Sequence, residues 1–189
     1  MPAKERQDAK LLAGVDALHV ERYAWACARV TGSHVLDCAC GVGYGSKMLA
    51  ESGSNRLVTG VDVSPAAITH AKRCFSHERV YYIIADMRAL AIGIKFDTIV
   101  SLESLEHVDD PSAVLRRFSA HMHNESNLVA SLPLFPTVHV NRYHKFEVSC
   151  LKDAEAFFSR CGFAVHEIVI QPVAKKSSRT FGLFDLRRK

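Results

Sequence analysis

The chain has 189 residues, 48% of them hydrophobic and 23% charged, with a formal net charge of +4. That length can bury one substantial core, no apolar run is long enough to span a bilayer, and so small a charge excess does not mark nucleic acid as a partner. The six cysteines (Cys27, Cys38, Cys40, Cys74, Cys150 and Cys161) form no Cys-x-x-Cys pair and read as reduced, mostly buried side chains, which with a polar N-terminus makes the cytoplasm the expected location.

Residues 15–30 carry Val15, Leu18, Ala24, Trp25 and Ala28 at helical spacing and end near Gly32. His19, Arg22 and Tyr23 lie three and four apart on one face. That face is either solvated with Tyr23 half buried, or a place where Arg22 meets an anionic group such as a cofactor carboxylate. His34 to Cys38 is a short apolar strand that runs into Ala39-Cys40-Gly41-Val42-Gly43-Tyr44-Gly45-Ser46 and then a helix to about Ser52. A glycine turn at the carboxyl end of a parallel strand is where open α/β sheets bind ligands, and Asp37 is expected to point into that crevice. The dinucleotide pattern G-x-G-x-x-G counted from Gly41 puts Ser46 at its third glycine, so that fingerprint fails.

Arg56 to Val61 reads as a second strand closing on Asp62-Val63, with Ser64 and Pro65 capping a helix to about Ser76. An acidic side chain there can take both hydroxyls of a ribose or merely favour a helix N-terminus. Tyr81 to Ala85 is a third strand ending in Asp86-Met87, a carboxylate and a thioether suited to the amino group and face of an adenine. Lys95 to Ser101 is a fourth strand, followed by Leu102-Glu103-Ser104-Leu105-Glu106-His107 and a helix to about His121. Asn127 to Leu132 is a fifth, and residues 133–148 form a long connection rich in aromatic, histidine and basic residues, a length that marks a functional loop. A helix near Leu151–Cys161, with Gly162 as its stop, precedes two last strands, Ala164 to Ile170 and Thr180 to Leu186. There is no internal repeat and no linker.

Asp37-x-Ala39-x-Gly41-x-Gly43, Asp62, Asp86-Met87 and the run Phe96-Asp97-Thr98-Ile99-Val100-Ser101-Leu102-Glu103-Ser104-Leu105-Glu106-His107-Val108 together resemble the class I S-adenosylmethionine (SAM) methyltransferase superfamily. Ala39 stands at the first glycine position. The branch resembled is dominated by small-molecule methyltransferases, with members in polysaccharide, nucleotide-sugar and natural-product pathways to which His19–Tyr23 and Asn141–Glu147 are similar.

The resemblance implies an α/β, Rossmann-like fold: a mostly parallel seven-stranded sheet with a terminal antiparallel strand and helices on both faces. It implies one domain over residues 1–189, a helical cap (1–32) on an α/β core (33–189). It also implies a SAM site, releasing S-adenosylhomocysteine, built from Arg22, Asp37, Ala39, Cys40, Gly41, Gly43, Tyr44, Asp62, Val63, Asp86, Met87, Ser101, Leu102 and Glu103. His123-Asn124-Glu125-Ser126 replaces the family's Pro-Gly-Gly turn before strand five. With no separate substrate domain, a small-molecule acceptor is expected against the N-terminal helix and the loops after strands four and five, or against a second subunit of a homodimer.

A base is needed only for an acceptor that must lose a proton, and His107 and His144 are the candidates. No catalytic zinc spacing is recognisable in His121-x-His123 or in His139 with His144, so no metal is expected. A Ser-His-Asp order and a G-x-S-x-G elbow are absent, and Ser101–Ser104 lacks the Pro-Pro-aromatic run of base-directed methylases. Three other readings stay open: a SAM-binding module without chemistry, a nicotinamide-dependent oxidoreductase, and a SAM enzyme that transfers another group or methylates rRNA.

Overall fold

The computed structural model describes residues 17–134, 144–172 and 180–189. The expected helix start at Val15, most of the long connection (residues 135–143, with His139 and Asn141) and the polar loop of residues 173–179 lie outside the described residues.

The elements follow in the order α1 (Ala17–Cys27), β1 (His34–Cys38), α2 (Tyr44–Glu51), β2 (Leu57–Asp62), α3 (Pro65–Cys74), β3 (Val80–Ile84), β4 (Phe96–Ser101), α4 (Pro111–Ala120), β5 (Met122–Leu134), α5 (Leu151–Arg160), β6 (Phe163–Pro172) and β7 (Thr180–Arg188). Single 3-10 turns sit at Met87–Ala89 and Leu105–His107. The strands form one seven-stranded sheet in the order β3-β2-β1-β4-β5-β7-β6. β1 to β5 pair in parallel, whereas β7 runs antiparallel to both β5 and β6.

The antiparallel strand is therefore last in the chain but interior in the sheet. Burial explains the placement. β7 is buried without break from Gly182 to Leu186, a pattern that requires cover on both faces, whereas β6 is largely half-buried or exposed and takes the edge.

Two apolar cores, one on each face of the sheet, account for the helices. Phe118 of α4, Phe157 and Phe158 of α5 and Phe184 of β7 pack in one. Tyr23 of α1, Leu49 of α2, Ile68 of α3 and Tyr82 of β3 pack in the other. Ser64 and Pro65 begin α3 as expected, the Ser64 hydroxyl accepting from Ala67 N at 3.3 Å. Asp110 and Pro111 begin α4 in the same way, with Asp110 accepting from Ala113 N at 2.9 Å.

Two boundaries differ from expectation. α1 ends at Cys27, because the chain must turn through Gly32 (φ 68°) to reach β1. Asp97 accepts there from Ser33 N at 2.8 Å and from His34 N at 2.9 Å. The segment His123–Ser126, expected as a turn ahead of strand five, is instead the irregular first part of β5, where the register against β4 shifts between Phe96 and Thr98. Ser126 makes that bulge tolerable by donating to Phe96 O at 2.7 Å and accepting from His123 N at 2.8 Å.

Asn127, fully buried in β5, locks the base of the sheet. Its Nδ2 donates to Arg29 O at 2.9 Å and to Asp185 Oδ1 at 3.0 Å. Its Oδ1 accepts from Thr31 Oγ1 at 3.0 Å and lies 2.6 Å from Thr98 Oγ1. One side chain thus ties the segment after α1 to β4, β5 and β7. Truncation strands several buried partners at once, including the Asp185 carboxylate. Asn127→Ala is expected to lower the unfolding free energy by about 3 kcal/mol or more, read from urea melts; an unchanged midpoint would show that the network carries no net stability.

Candidate active site

The parallel strands β1, β2, β3 and β4 deliver their carboxyl ends to one rim of the sheet, and the glycine turn between β1 and α2 lies there. Ala39 (φ 64°), Gly41 (φ 55°) and Gly43 (φ 94°) all sit in the left-handed region. Gly43 is enforced by packing as well, since a Cβ would come 2.5 Å from Ala71 Cβ. A Cβ on Gly41 would meet no atom within 4 Å. Gly41 thus lines an open cradle. The backbone of the cradle is pinned from the next strand: Cys40 N donates to Val61 O at 2.9 Å, and Gly41 N donates to Asp62 Oδ2 at 3.0 Å.

Asp37 does not face that opening. It is fully buried beneath the turn, accepting from Ser46 Oγ at 2.6 Å and from Tyr23 Oη at 3.1 Å. Burial pushes its carboxyl up to about 6, a rise that the Ser46 and Tyr23 hydrogen bonds reduce and the nearby Asp62 charge adds to. Ser46, which breaks the dinucleotide pattern, is therefore the donor that the carboxylate below the turn requires. Tyr23 closes the same unit from α1, and a Cβ on Gly45 would fall 2.1 Å from its ring. The thiols of Cys38 and Cys40 are raised by burial, which makes them inert packing groups. All six cysteines are free; Cys38 and Cys40 are buried, Cys27 and Cys161 half-buried, and Cys74 and Cys150 exposed, fewer inside than the sequence suggested.

The face of α1 expected to be solvated, or to await an anion, is buried. Arg22 is 1% exposed, donates from Nε to Gln171 Oε1 at 2.6 Å, and stacks its guanidinium 3.9 Å from the centre of the Phe181 ring. Its anion is Glu103, which it meets in an ion pair. His19 Nε2 lies 3.3 Å from the same carboxylate, and its Nδ1 contacts the Tyr44 hydroxyl. Glu103 reaches this position from a left-handed backbone (φ 48°), with its N–H donating to Ser131 Oγ at 2.8 Å.

Asp62 also accepts from Ser64 N at 2.8 Å, so it serves the start of α3 and the glycine turn together. Val63, next to it, is exposed. Asp86 caps the turn at Met87–Ala89 through Arg88 N at 2.8 Å and pairs with the Arg88 guanidinium, which holds its carboxyl below the usual range. Met87 packs against the core on the α4 side. Ser101 and Leu102 are buried, with Ser101 Oγ 2.6 Å from Ser104 Oγ.

Beyond β4 the structure brings the two histidines together: the rings of His107 and His144 lie edge to face with centroids 5.3 Å apart. Glu106, 1% exposed, joins them. Its main-chain oxygen accepts from Lys145 N at 2.8 Å and Phe146 N at 3.2 Å, tying the return segment to the turn at Leu105–His107. Sequence reading missed the structural roles of Ser46, His19 and Gln171. Ser46 carried a signal, a hydroxyl nine residues after Asp37 across the turn; Gln171 carried none, because its contact with Arg22 depends on where β6 lies.

The Methyltransferase domain family profile matches residues 35–125, the stretch from β1 into β5. The ubiquinone biosynthesis O-methyltransferase of Coxiella burnetii is 32% identical over 139 residues, covering 72% of this chain and 56% of that protein. Its counterpart in Pseudomonas aeruginosa is 39% identical over 93 residues, 47% of this chain and 39% of that protein. The chain spans about half the length of these curated relatives.

Among solved structures, the N-methyltransferase NodS of Bradyrhizobium japonicum in complex with S-adenosylhomocysteine superposes with a TM-score of 0.75 at 18% identity, over 95% of this chain and 91% of that one. The [4+2]-cyclase SpnF gives 0.75 at 14% identity, over 89% and 80%. Residues 35–125 thus match the methyltransferase-domain family, on a fold shared with SAM-dependent methyltransferases.

Two expectations follow from the turn. The folded Asp37 carboxyl keeps its proton up to about pH 6, against 3.8 for an ordinary aspartate. The folded state is the better proton binder between those values, so stability falls as pH rises through that window, by up to roughly 3 kcal/mol. Asp37→Asn should flatten this slope in melts taken from pH 4 to pH 7, and an unaltered slope would place the titration elsewhere. Ala39→Gly relieves a left-handed alanine, a strain of about 1 kcal/mol. Unlike an ordinary Ala→Gly change it is expected to be neutral or stabilising by up to that amount, with a clear loss of stability as the contrary result.

Proposed function

We propose that this protein binds SAM across the carboxyl ends of β1 to β4 and directs its methyl group to a small-molecule acceptor. The observation that carries the reading is the open cradle at Gly41, whose N–H is fixed by Asp62, in a chain whose residues 35–125 match this family.

In this reading Ala39, Cys40, Gly41, Gly43 and Tyr44 wall the methionine portion, and Asp37 acts through the turn that it supports. Each Asp62 oxygen has a second lone pair beyond its backbone partner and is available to a ribose hydroxyl. Val63 flanks the ribose, Asp86 and Met87 take the adenine, and Ser101, Leu102 and Glu103 border the transferring group. Arg22 shares its guanidinium between Glu103 and the cofactor carboxylate.

When bound, the cofactor supplies an electrophilic methyl group on a sulfonium; the protein's share is alignment for an in-line displacement. The acceptor lies between α1, the turn that follows β4 and the segment of residues 144–146 tied to that turn. For a hydroxyl acceptor, the His107–His144 pair at that end receives the proton. The named O- and N-methyltransferases among the relatives support a small acceptor, and the [4+2]-cyclase on the same fold shows why the reaction needs its own test. Six free cysteines and no helix, among the described residues, long and apolar enough to cross a membrane suit a cytoplasmic, single-domain enzyme.

Calorimetric titration with SAM, S-adenosylhomocysteine and NAD tests the reading. Binding of both adenosyl-sulfur ligands is expected, with none for NAD, and an Asp62→Ala variant should weaken it at least about ten-fold through the loss of a charge-assisted contact. Failure of both ligands to bind the folded protein would sink the proposal.

A further inference from the structure

The cluster beyond β4 is a donor set of a particular chemistry. Glu106, His107 and His144 each offer one ligand atom, and these atoms all lie within 4.8 Å of one another. We infer that this trio is a binding site for a divalent transition-metal ion of the zinc type, beside the proposed acceptor space.

Ligand chemistry selects the ion. Two imidazoles and a carboxylate suit zinc, cobalt or iron, whereas magnesium and calcium are held by oxygen ligands. Three protein ligands are the number found in catalytic zinc sites, where the fourth position is left for water or substrate. In a tetrahedral site the ligand atoms stand roughly 3.3 Å apart, so side-chain rotation of about an ångström closes the group onto an ion.

The backbone holding these side chains is already fixed. Glu106 O accepts from both Lys145 N and Phe146 N, which joins two segments distant in sequence where their ligands meet. Surrounding charge fits as well. Among the described residues, Lys145 beside the trio is paired with Asp109 at 2.7 Å, and Glu103 is turned away onto Arg22 and His19. Glu106 itself is withdrawn from solvent, with a carboxylate oxygen within ligand reach of both imidazoles.

The site goes beyond methyl transfer, and its binding test needs no acceptor and no SAM. If an acceptor hydroxyl takes the open position, the ion lowers its pKa; the proton leaves to solvent, and with the ion bound the two histidines serve as ligands in place of the proton-accepting role they have in the metal-free protein.

The test is titration of the chelator-stripped protein with zinc, followed by calorimetry, and with cobalt(II), followed by its visible absorption. One equivalent of each is expected to bind, with a ligand-field band for cobalt. His144→Ala and His107→Ala should each weaken zinc binding by at least about ten-fold while circular dichroism stays native. Glu106→Gln serves as a third variant, and because that side chain is buried the histidine variants decide the matter if it fails to fold. No saturable binding at one equivalent, or binding that survives in both histidine variants, would overturn the inference. SAM binding, measured separately, stands or falls independently.

Discussion

The glycine turn rests on a buried carboxylate. Asp37 has no exposed surface, and its two oxygens are taken by hydroxyls from opposite sides, Ser46 of α2 and Tyr23 of α1. Burying an aspartate without donors is prohibitive; with two, the group becomes a joint that sets where α1 and α2 meet the end of β1. The glycines above it are constrained by what that joint brings close. Gly45 is small because the Tyr23 ring lies against it, and Gly43 because α3 packs under it. Of these three glycines Gly41 alone looks onto open space, the side of the turn proposed for the cofactor.

A second polar unit stands over the same crevice. Arg22 is buried among Gln171 of β6, Phe181 of β7 and the Glu103 carboxylate after β4. A fully buried guanidinium held on three sides is costly to desolvate and rigid once paired. It couples the N-terminal helix to the far half of the sheet. The left-handed backbone at Glu103 marks where the chain leaves β4 sharply enough to bring that carboxylate back over the crevice. The proposed cofactor side and the proposed acceptor side are thereby joined by one charged residue, with Glu106 and the two histidines a single 3-10 turn further on.

Much of this was legible in the residues because it depends on short-range rules. Alternating apolar strands and helices, Ser64-Pro65 as a helix start, and carboxylates at the ends of successive strands are local patterns, and each lies where the pattern put it. The misjudgements concern what lies opposite. Asp37 was placed by spacing at the crevice, yet a side chain at a strand end can point up into the opening or down beneath the turn, and only the presence of Tyr23 and Ser46 decides. Arg22 was read as solvated or as awaiting an anionic group; the anion it meets is Glu103, and nothing near it in sequence announces that carboxylate, Gln171 or Phe181.

By itself, then, the sequence determined the α/β alternation, the glycine turn and the resemblance to the family, since hydrophobic period, glycine placement and capping act over a few residues. Tertiary structure alone decided three things. It inserted β7 between β5 and β6, because that strand needs cover on both faces. It turned Arg22 and Asp37 inward onto distant partners. It also brought His144 against Glu106 and His107, which no spacing rule anticipates. Their common reason is that burial and charge pairing are settled by whichever surfaces the folded sheet brings face to face, and those surfaces come from parts of the chain far apart in sequence.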